Sequence, residues 1–186
     1  MMKQIELRKI EPIDVMRYYV TYKDVESKII STIDSKKLIE REQAYHLYTA
    51  KHMKIARNFK KGTSAMVLGT TKNHYKLGSI DITSLSDTFY RGGLLSGNNK
   101  NAFVAASKLL WLFDHNVIIM DRVALGVLHV KSNNYNDFVA VWKAYYKIFE
   151  PMIVEVIEQY NFATIDPIMK KKWFRMRVFD QFLISQ

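Results

Sequence analysis

Apolar residues recur at three- and four-residue steps along most of this chain. From Asp14 to Ile33 they fall at Val15, Tyr18, Tyr19, Tyr22, Val25, Ile29 and Ile33, which predicts an amphipathic helix. Ser35 to Arg57 predicts a second long helix, with Ser35 at its cap and Gly62 ending it. The next stretch, TSAMVLGTTKNHYKLGSIDITS, is softer, and short strands or irregular segments fit it equally well. Ser84 to Tyr90 suits one or two helical turns, and Arg122 to Val130 a short helix. Tyr135 to Tyr160 predicts a helix that Pro151 should kink or split after Glu150. Asp166-Pro167 has the cap-then-proline signature of a helix start, and Trp173 to Ile184 forms an aromatic-rich last element. No repeat, linker or low-complexity segment interrupts the pattern. The expectation is a mainly α, compact helical domain over residues 1–186 with at most a minor strand component. It could also be two lobes, about 1–90 and 91–186, flanking a cleft.

Two charges sit oddly in this pattern. Ala102 to Phe113 reads AFVAASKLLWLF, apolar on nearly every side, yet it carries Lys108. A lysine there either snorkels to water along its own stem or is held in a partly dry pocket. Dry surroundings favour the neutral, nucleophilic form of an amine. Thirteen residues on, Asp121 follows Val117-Ile118-Ile119-Met120 and precedes Val123-Ala124-Leu125. An aspartate between an extended run and a helix is ordinarily an N-cap that accepts backbone N–H bonds, worth ~1 kcal/mol. A helix, a tight connection and a return could also bring Lys108 and Asp121 to one pocket.

Composition narrows the classes. With 48% hydrophobic and 13% aromatic residues the chain has ample material for a core, which excludes a disordered protein. The absence of cysteine excludes disulfides, thiolate catalysis, zinc–thiolate sites and a cysteine-held iron–sulfur cluster. The start, MMKQIELRKIEP, has no apolar leader, and no window approaches ~20 uninterrupted apolar residues. A cytoplasmic address without a membrane is therefore expected.

Charge is more specific. The net charge of +10 is carried by two acid-free clusters: Lys51, Lys54, Arg57, Lys60 and Lys61, then Lys170, Lys171, Lys172, Arg175 and Arg177. Lys51, Lys54, Arg57 and Lys61 step by three and four, along one helix face. Such concentration favours a polyanion, and nucleic acid over a membrane, because no lipid-inserting apolar face accompanies either cluster. The plain alternative is a solvated, soluble surface. The loop from Arg91 to Lys100 places Gly92, Gly93, Gly97, Asn98 and Asn99 between two cations at a helix start. It reads equally as a simple turn or as a phosphate-binding loop. His46, His52, His74, His115 and His129 lack metal-ligand spacing, and no cofactor is expected.

The residues Ser107-Lys108-Leu109-Leu110 and Ile118-Ile119-Met120-Asp121, with the carboxyl-terminal run Arg175-Met176-Arg177-Val178-Phe179-Asp180-Gln181-Phe182-Leu183, resemble a known group. They are similar to the catalytic segment and last helix of the helix-hairpin-helix DNA glycosylases, nearest the 8-oxoguanine-glycosylase-like branch. The resemblance covers about half the chain, from Tyr90 onward. It departs where those proteins have a Gly-hydrophobic-Gly hairpin, since Val104-Ala105-Ala106-Ser107 stands there, and its Lys-to-Asp interval is shorter.

What the resemblance implies is a DNA-glycosylase-like fold and excision of a damaged or modified base from double-stranded DNA with the nucleotide flipped out. Lys108 would attack the sugar, Asp121 would assist, and a β-lyase step could follow. Lys51, Lys54, Arg57, Lys60, Lys61, Arg91, Asn98, Asn99 and Lys100 would hold the backbone. Trp111, His115, Trp173 and Phe174 are candidates for the base pocket, with Phe179 a further stacking candidate, although such aromatics are more often core. The rival readings are a non-catalytic basic helical nucleic-acid-binding protein and a helical interaction protein.

Overall fold

The structure, a computed structural model, describes residues 7–33, 40, 43–46, 48, 58–78, 81–98 and 100–186. In chain order its helices are α1 (Pro12–Thr21), α2 (Ser27–Ile33), α3 (Ser64–Lys76), α4 (Ile82–Arg91), α5 (Phe103–Trp111), α6 (Arg122–Val127), α7 (Tyr135–Gln159), α8 (Phe162–Ile165) and α9 (Lys172–Ile184). A π-helical turn, Tyr22–Glu26, precedes α2, and a 3₁₀ turn, Pro167–Lys170, precedes α9. The described part of residues 35–57 is helical at 40, 43–46 and 48. Strand character among the described residues is confined to one antiparallel bridge between Phe59 and Leu95. The fold is mainly α-helical, as the periodicity predicts. No described helix is long and apolar enough to cross a membrane.

The chain forms two compact units, one from Met1–Thr21 with Met120–Gln186 and the other from Tyr22–Ile119. In the first, α9 packs against α1, α6 and α7. Its Phe174, Val178, Phe179, Phe182 and Leu183 are fully buried, and Met176, Arg177 and Asp180 are buried as well. A helix covered on so many sides is a core element and not an amphipathic surface helix. Facing it, α7 buries Phe138, Trp142, Tyr145, Tyr146, Phe149, Ile153, Val156 and Ile157 at helical spacing. Phe179 meets Trp142 edge-on at 5.2 Å and Phe149 at 5.5 Å. Asn134 starts α7 by accepting the Asn136 and Asp137 N–H groups, and Asn161, in the left-handed region at φ 52°, follows its end. The helix runs unbroken through Pro151, so the predicted split does not occur. Proline inside a helix costs ~3 kcal/mol. Apolar residues buried on both sides of it offset that loss.

Arg8 and Asp14 fasten the start of α1 to the same unit. Arg8 holds Asp14 in a two-pronged ion pair at 2.6 and 2.7 Å, reaches the Ser185 hydroxyl at 3.2 Å and lies 4.8 Å over the Phe182 ring. Burial pushes the Asp14 carboxyl up. The Arg8 pair, the Glu11 N–H and the nearby Arg17 outweigh it and hold Asp14 below the usual carboxylate range.

In the second unit α5 packs on α3 and α4, which pack on each other. The soft stretch after Gly62 forms α3, where sequence left strands or irregular segments open, and the turns expected at Ser84 to Tyr90 form α4. Thr, Ser, Asn and Gly are weak helix formers. Tertiary packing of Val67, Leu68, Ile82, Leu85 and Phe89 decides the outcome. Asp81 caps α4 by accepting the Thr83 N–H at 2.9 Å, and the His74 ring meets the Asp81 carbonyl at 3.0 Å, which ties the end of α3 to that start.

Candidate functional site

Lys108 lies in the second unit on α5, a helix whose residues Ala105 to Trp111 are all buried. It is 8% exposed, so it is not a side chain extended into bulk water. The Tyr48 hydroxyl donates to its backbone carbonyl at 3.1 Å and fixes the helix there. Trp111 and His115 follow at i+3 and i+7, one face of the chain's path, and their rings meet edge-on at 4.9 Å. Trp111 is fully buried and packs as a core residue does. Burial lowers the His115 pKa, while the negative charges of Asp114 and Glu26 pull it the other way.

Glu26 is the residue in this unit that sequence reading misses. The apolar stripe places Val25 inward, yet Glu26 is buried at 1% exposure and Val25 only half-buried. The π-helical turn Tyr22–Glu26 inserts one extra residue and rotates the buried face by one position. A carboxylate in an apolar helical stripe, close before Ile29, was the only available signal.

The basic loop lies in the same unit. The Lys60 N–H donates to the Leu94 carbonyl and the Ser96 N–H to the Asn58 carbonyl, both at 2.9 Å. These bonds flank the Phe59–Leu95 bridge and join the end of the first basic cluster to the Arg91–Lys100 loop. A Cβ built on Gly93 would stand 3.7 Å from the Lys60 Nζ, and Gly93 and Gly97 have φ of 65° and 60°, as tight turns require. Arg91 is exposed and only loosely paired with Asp87 at 3.7 Å. Lys61, Asn98 and Lys100 are also exposed. The Ala102 N–H donates to the buried Ser86 hydroxyl at 2.7 Å, which anchors the loop where α5 begins. Lys51, Lys54, Arg57 and Asn99 lie outside the described residues.

Asp121 belongs to the first unit. It is the N-cap of α6, with extended backbone and a side chain that accepts the Val123 N–H at 2.9 Å. Lys108 and Asp121 are thus built into different units, each positioned by its own helix. Below α6, Asp180 on α9 accepts the Trp142 indole N–H at 2.8 Å and an Arg177 N–H at 2.8 Å. Burial raises the Asp180 pKa to about 6. Arg177 and Trp142 act against that rise, and the Asp121 charge adds to it. Arg177 is 3% exposed and lies 5.5 Å from the Tyr18 ring centre.

The second basic cluster is correspondingly smaller than its sequence. Arg177 serves Asp180 inside the unit, and Arg175 pairs with Glu150 at 3.0 Å. Lys170, Lys171 and Lys172 remain exposed. Trp173 is half-buried and Phe174 fully buried, the latter 4.9 Å from the Tyr18 ring. Among the described residues no group of three or more His, Asp or Glu side chains is gathered to hold a metal ion. No protein-family model, no curated protein and no solved structure matches the chain.

Proposed function

We propose that this protein binds duplex DNA and excises a damaged or modified base, with Lys108 as nucleophile. The observation that carries the reading is the burial of Lys108 on an apolar helix that starts where a basic, glycine-bearing loop ends. Burial holds the side chain in place on its helix, as a nucleophile must be held. Lys60, Lys61, Arg91 and Lys100 would hold phosphates beside it without reading sequence. The target base is inaccessible within a duplex, so its nucleotide must be extruded at a cost of a few kcal/mol.

In the reaction, the Lys108 amine attacks the anomeric carbon and the bond to the base breaks, with the electron pair leaving on the base, which takes up a proton. Opening of the sugar ring gives an iminium on Lys108. Loss of a proton from the neighbouring carbon and departure of the 3′ phosphate then complete strand cleavage.

The rival is a DNA-binding protein without chemistry. The Asp121 cap bond favours it, because that bond accounts for Asp121 with no reaction. Base release separates the two readings. Duplexes carrying 8-oxoguanine, uracil or an alkylated purine are incubated with the protein, and free base is measured. Release from one lesion duplex, and not from undamaged DNA, is expected. Tight duplex binding with no release across the set would leave the binding protein.

A further inference from the structure

In the first unit a cavity of about 260 Å³ lies where three elements meet. Val154, Ile157 and Glu158 of α7, Met169 and Lys170 of the 3₁₀ turn, and Arg175 of α9 line it. The α7 residues fall at i, i+3 and i+4, so one face of that helix supplies them. Ile157 and Met169 are buried and Val154 half-buried, which gives the cavity an apolar floor. Glu158 and Lys170 are exposed, so their charges belong to its rim. Arg175 is already committed: its guanidinium donates to Glu150 at 3.0 and 3.2 Å and to the Lys170 carbonyl. It forms a fixed wall and pins the Lys170 backbone.

Glu158 and Lys170 carry opposite charges at one cavity and form no ion pair with each other. Glu158 is also poorly placed for its own helix. It lies in the last turn of α7, where the helix dipole disfavours an anion, and no basic residue in that turn offsets it. Glu155, exposed as well, lines a neighbouring cavity that Glu158 shares. The negative pole therefore stands on the α7 side and the positive pole on the 3₁₀ side.

We propose that this cavity binds a free α-amino acid with a mid-sized apolar side chain, such as leucine or methionine. The ligand's ammonium group meets Glu158, its carboxylate meets Lys170, and its side chain lies on Val154, Ile157 and Met169. Burial of that side chain drives binding. The two rim charges are solvated, so each is worth only a few-fold in affinity, but together they orient the ligand and select a zwitterion. The volume is that of a small ligand, since pockets for drug-sized molecules begin at roughly 300 Å³. The site lies in the other unit from Lys108 and does not depend on the excision reading.

The test is calorimetric titration of the whole protein with leucine and methionine, and with three probes that each lack one element. N-acetylleucine has no ammonium group, leucinamide no carboxylate, and glycine no side chain. Saturable binding of leucine or methionine is expected, with glycine at least tenfold weaker and the two blocked leucines three- to fivefold weaker than leucine. Glu158→Gln should weaken leucine three- to fivefold and leave N-acetylleucine unchanged. Lys170→Gln should do the same for leucine and leave leucinamide unchanged. Both substitutions are at exposed positions, so they stand in if Val154→Phe, which fills the cavity and should remove binding, does not fold. No saturable binding of either amino acid, blocked leucines that bind as tightly as leucine, or leucine affinity unchanged in both charge variants would each overturn the site.

Discussion

Phe59 and Leu95 pair as an antiparallel bridge, and that pairing carries Lys60 to the glycine turn at Gly93. Two stretches that the sequence separates by some thirty residues thereby form one basic surface. Fluorescence anisotropy on duplex DNA at several salt concentrations should give a steep slope. Lys60→Ala and Arg91→Ala should each reduce the slope of log K against log salt by about 0.9, and weaken all sequences alike. Affinity that stays flat with salt would contradict a phosphate-binding surface.

Gly93 and Gly97 provide a matched pair of substitutions. Both have positive φ, so alanine at either should cost about 1–2 kcal/mol in urea unfolding. A Cβ at Gly93 would meet the flexible Lys60 Nζ at 3.7 Å, ordinary contact, and one at Gly97 would meet nothing within 4 Å. DNA binding by the folded variants should therefore stay near wild type in both. A several-fold loss in either would contradict side chains being accommodated at this turn without moving Lys60.

Asp180 should make stability depend on pH. Its pKa rises from 3.8 to about 6 on folding, so the folded chain favours the protonated acid. The stabilising contribution is complete below about 3.8 and is lost as pH rises through about 6. Asp180→Asn removes the titration while keeping an acceptor for Trp142. The stability of wild type relative to that variant should fall by about 2–3 kcal/mol between pH 4 and 7. Asp180→Ala is harsher, by about 3–5 kcal/mol, because Arg177 is left buried without its carboxylate. A difference that does not change with pH would mean that Asp180 is ionised throughout.

Asp121 can be separated into cap and chemistry. Asn caps helices about as well as Asp, so Asp121→Asn should keep wild-type stability, whereas Asp121→Ala should lose ~1 kcal/mol. If the carboxylate assists the reaction, base release should slow at least tenfold in both. Release that tracks only the stability loss would assign Asp121 to the cap alone.

α7 was legible because its apolar spacing is strong, α9 as an aromatic-rich last element, and the Asp121 and Asp166 caps from their positions before apolar or proline-led starts. The apolar residues around Lys108 left both a snorkelling and a partly dry lysine open, and the structure buries it. What stayed hidden depends on register or on distant partners. Glu26 is buried because a π turn shifts the stripe by one residue, which a periodicity of 3.6 does not anticipate. The burial of Asp180 was not readable from the sequence, since its Trp142 partner stands 38 residues away, and Arg177 was read as part of a basic surface cluster although it is buried against Asp180. α3 itself was hidden because weak helix formers concealed it.

Borohydride trapping on a duplex with the released lesion tests the central claim most directly. An iminium between Lys108 and the opened sugar is reduced to a stable amine, leaving the protein covalently attached to DNA. The account predicts this adduct in wild type, at Lys108 by peptide mapping. Lys108→Gln should not form it, yet should bind the duplex within ~1 kcal/mol of wild type because the basic surface is untouched. An exposed amine can react with a pre-formed abasic site, so the base-bearing duplex is the decisive substrate. An undiminished adduct in Lys108→Gln, or none in wild type on a duplex whose base is released, would contradict Lys108 as the nucleophile.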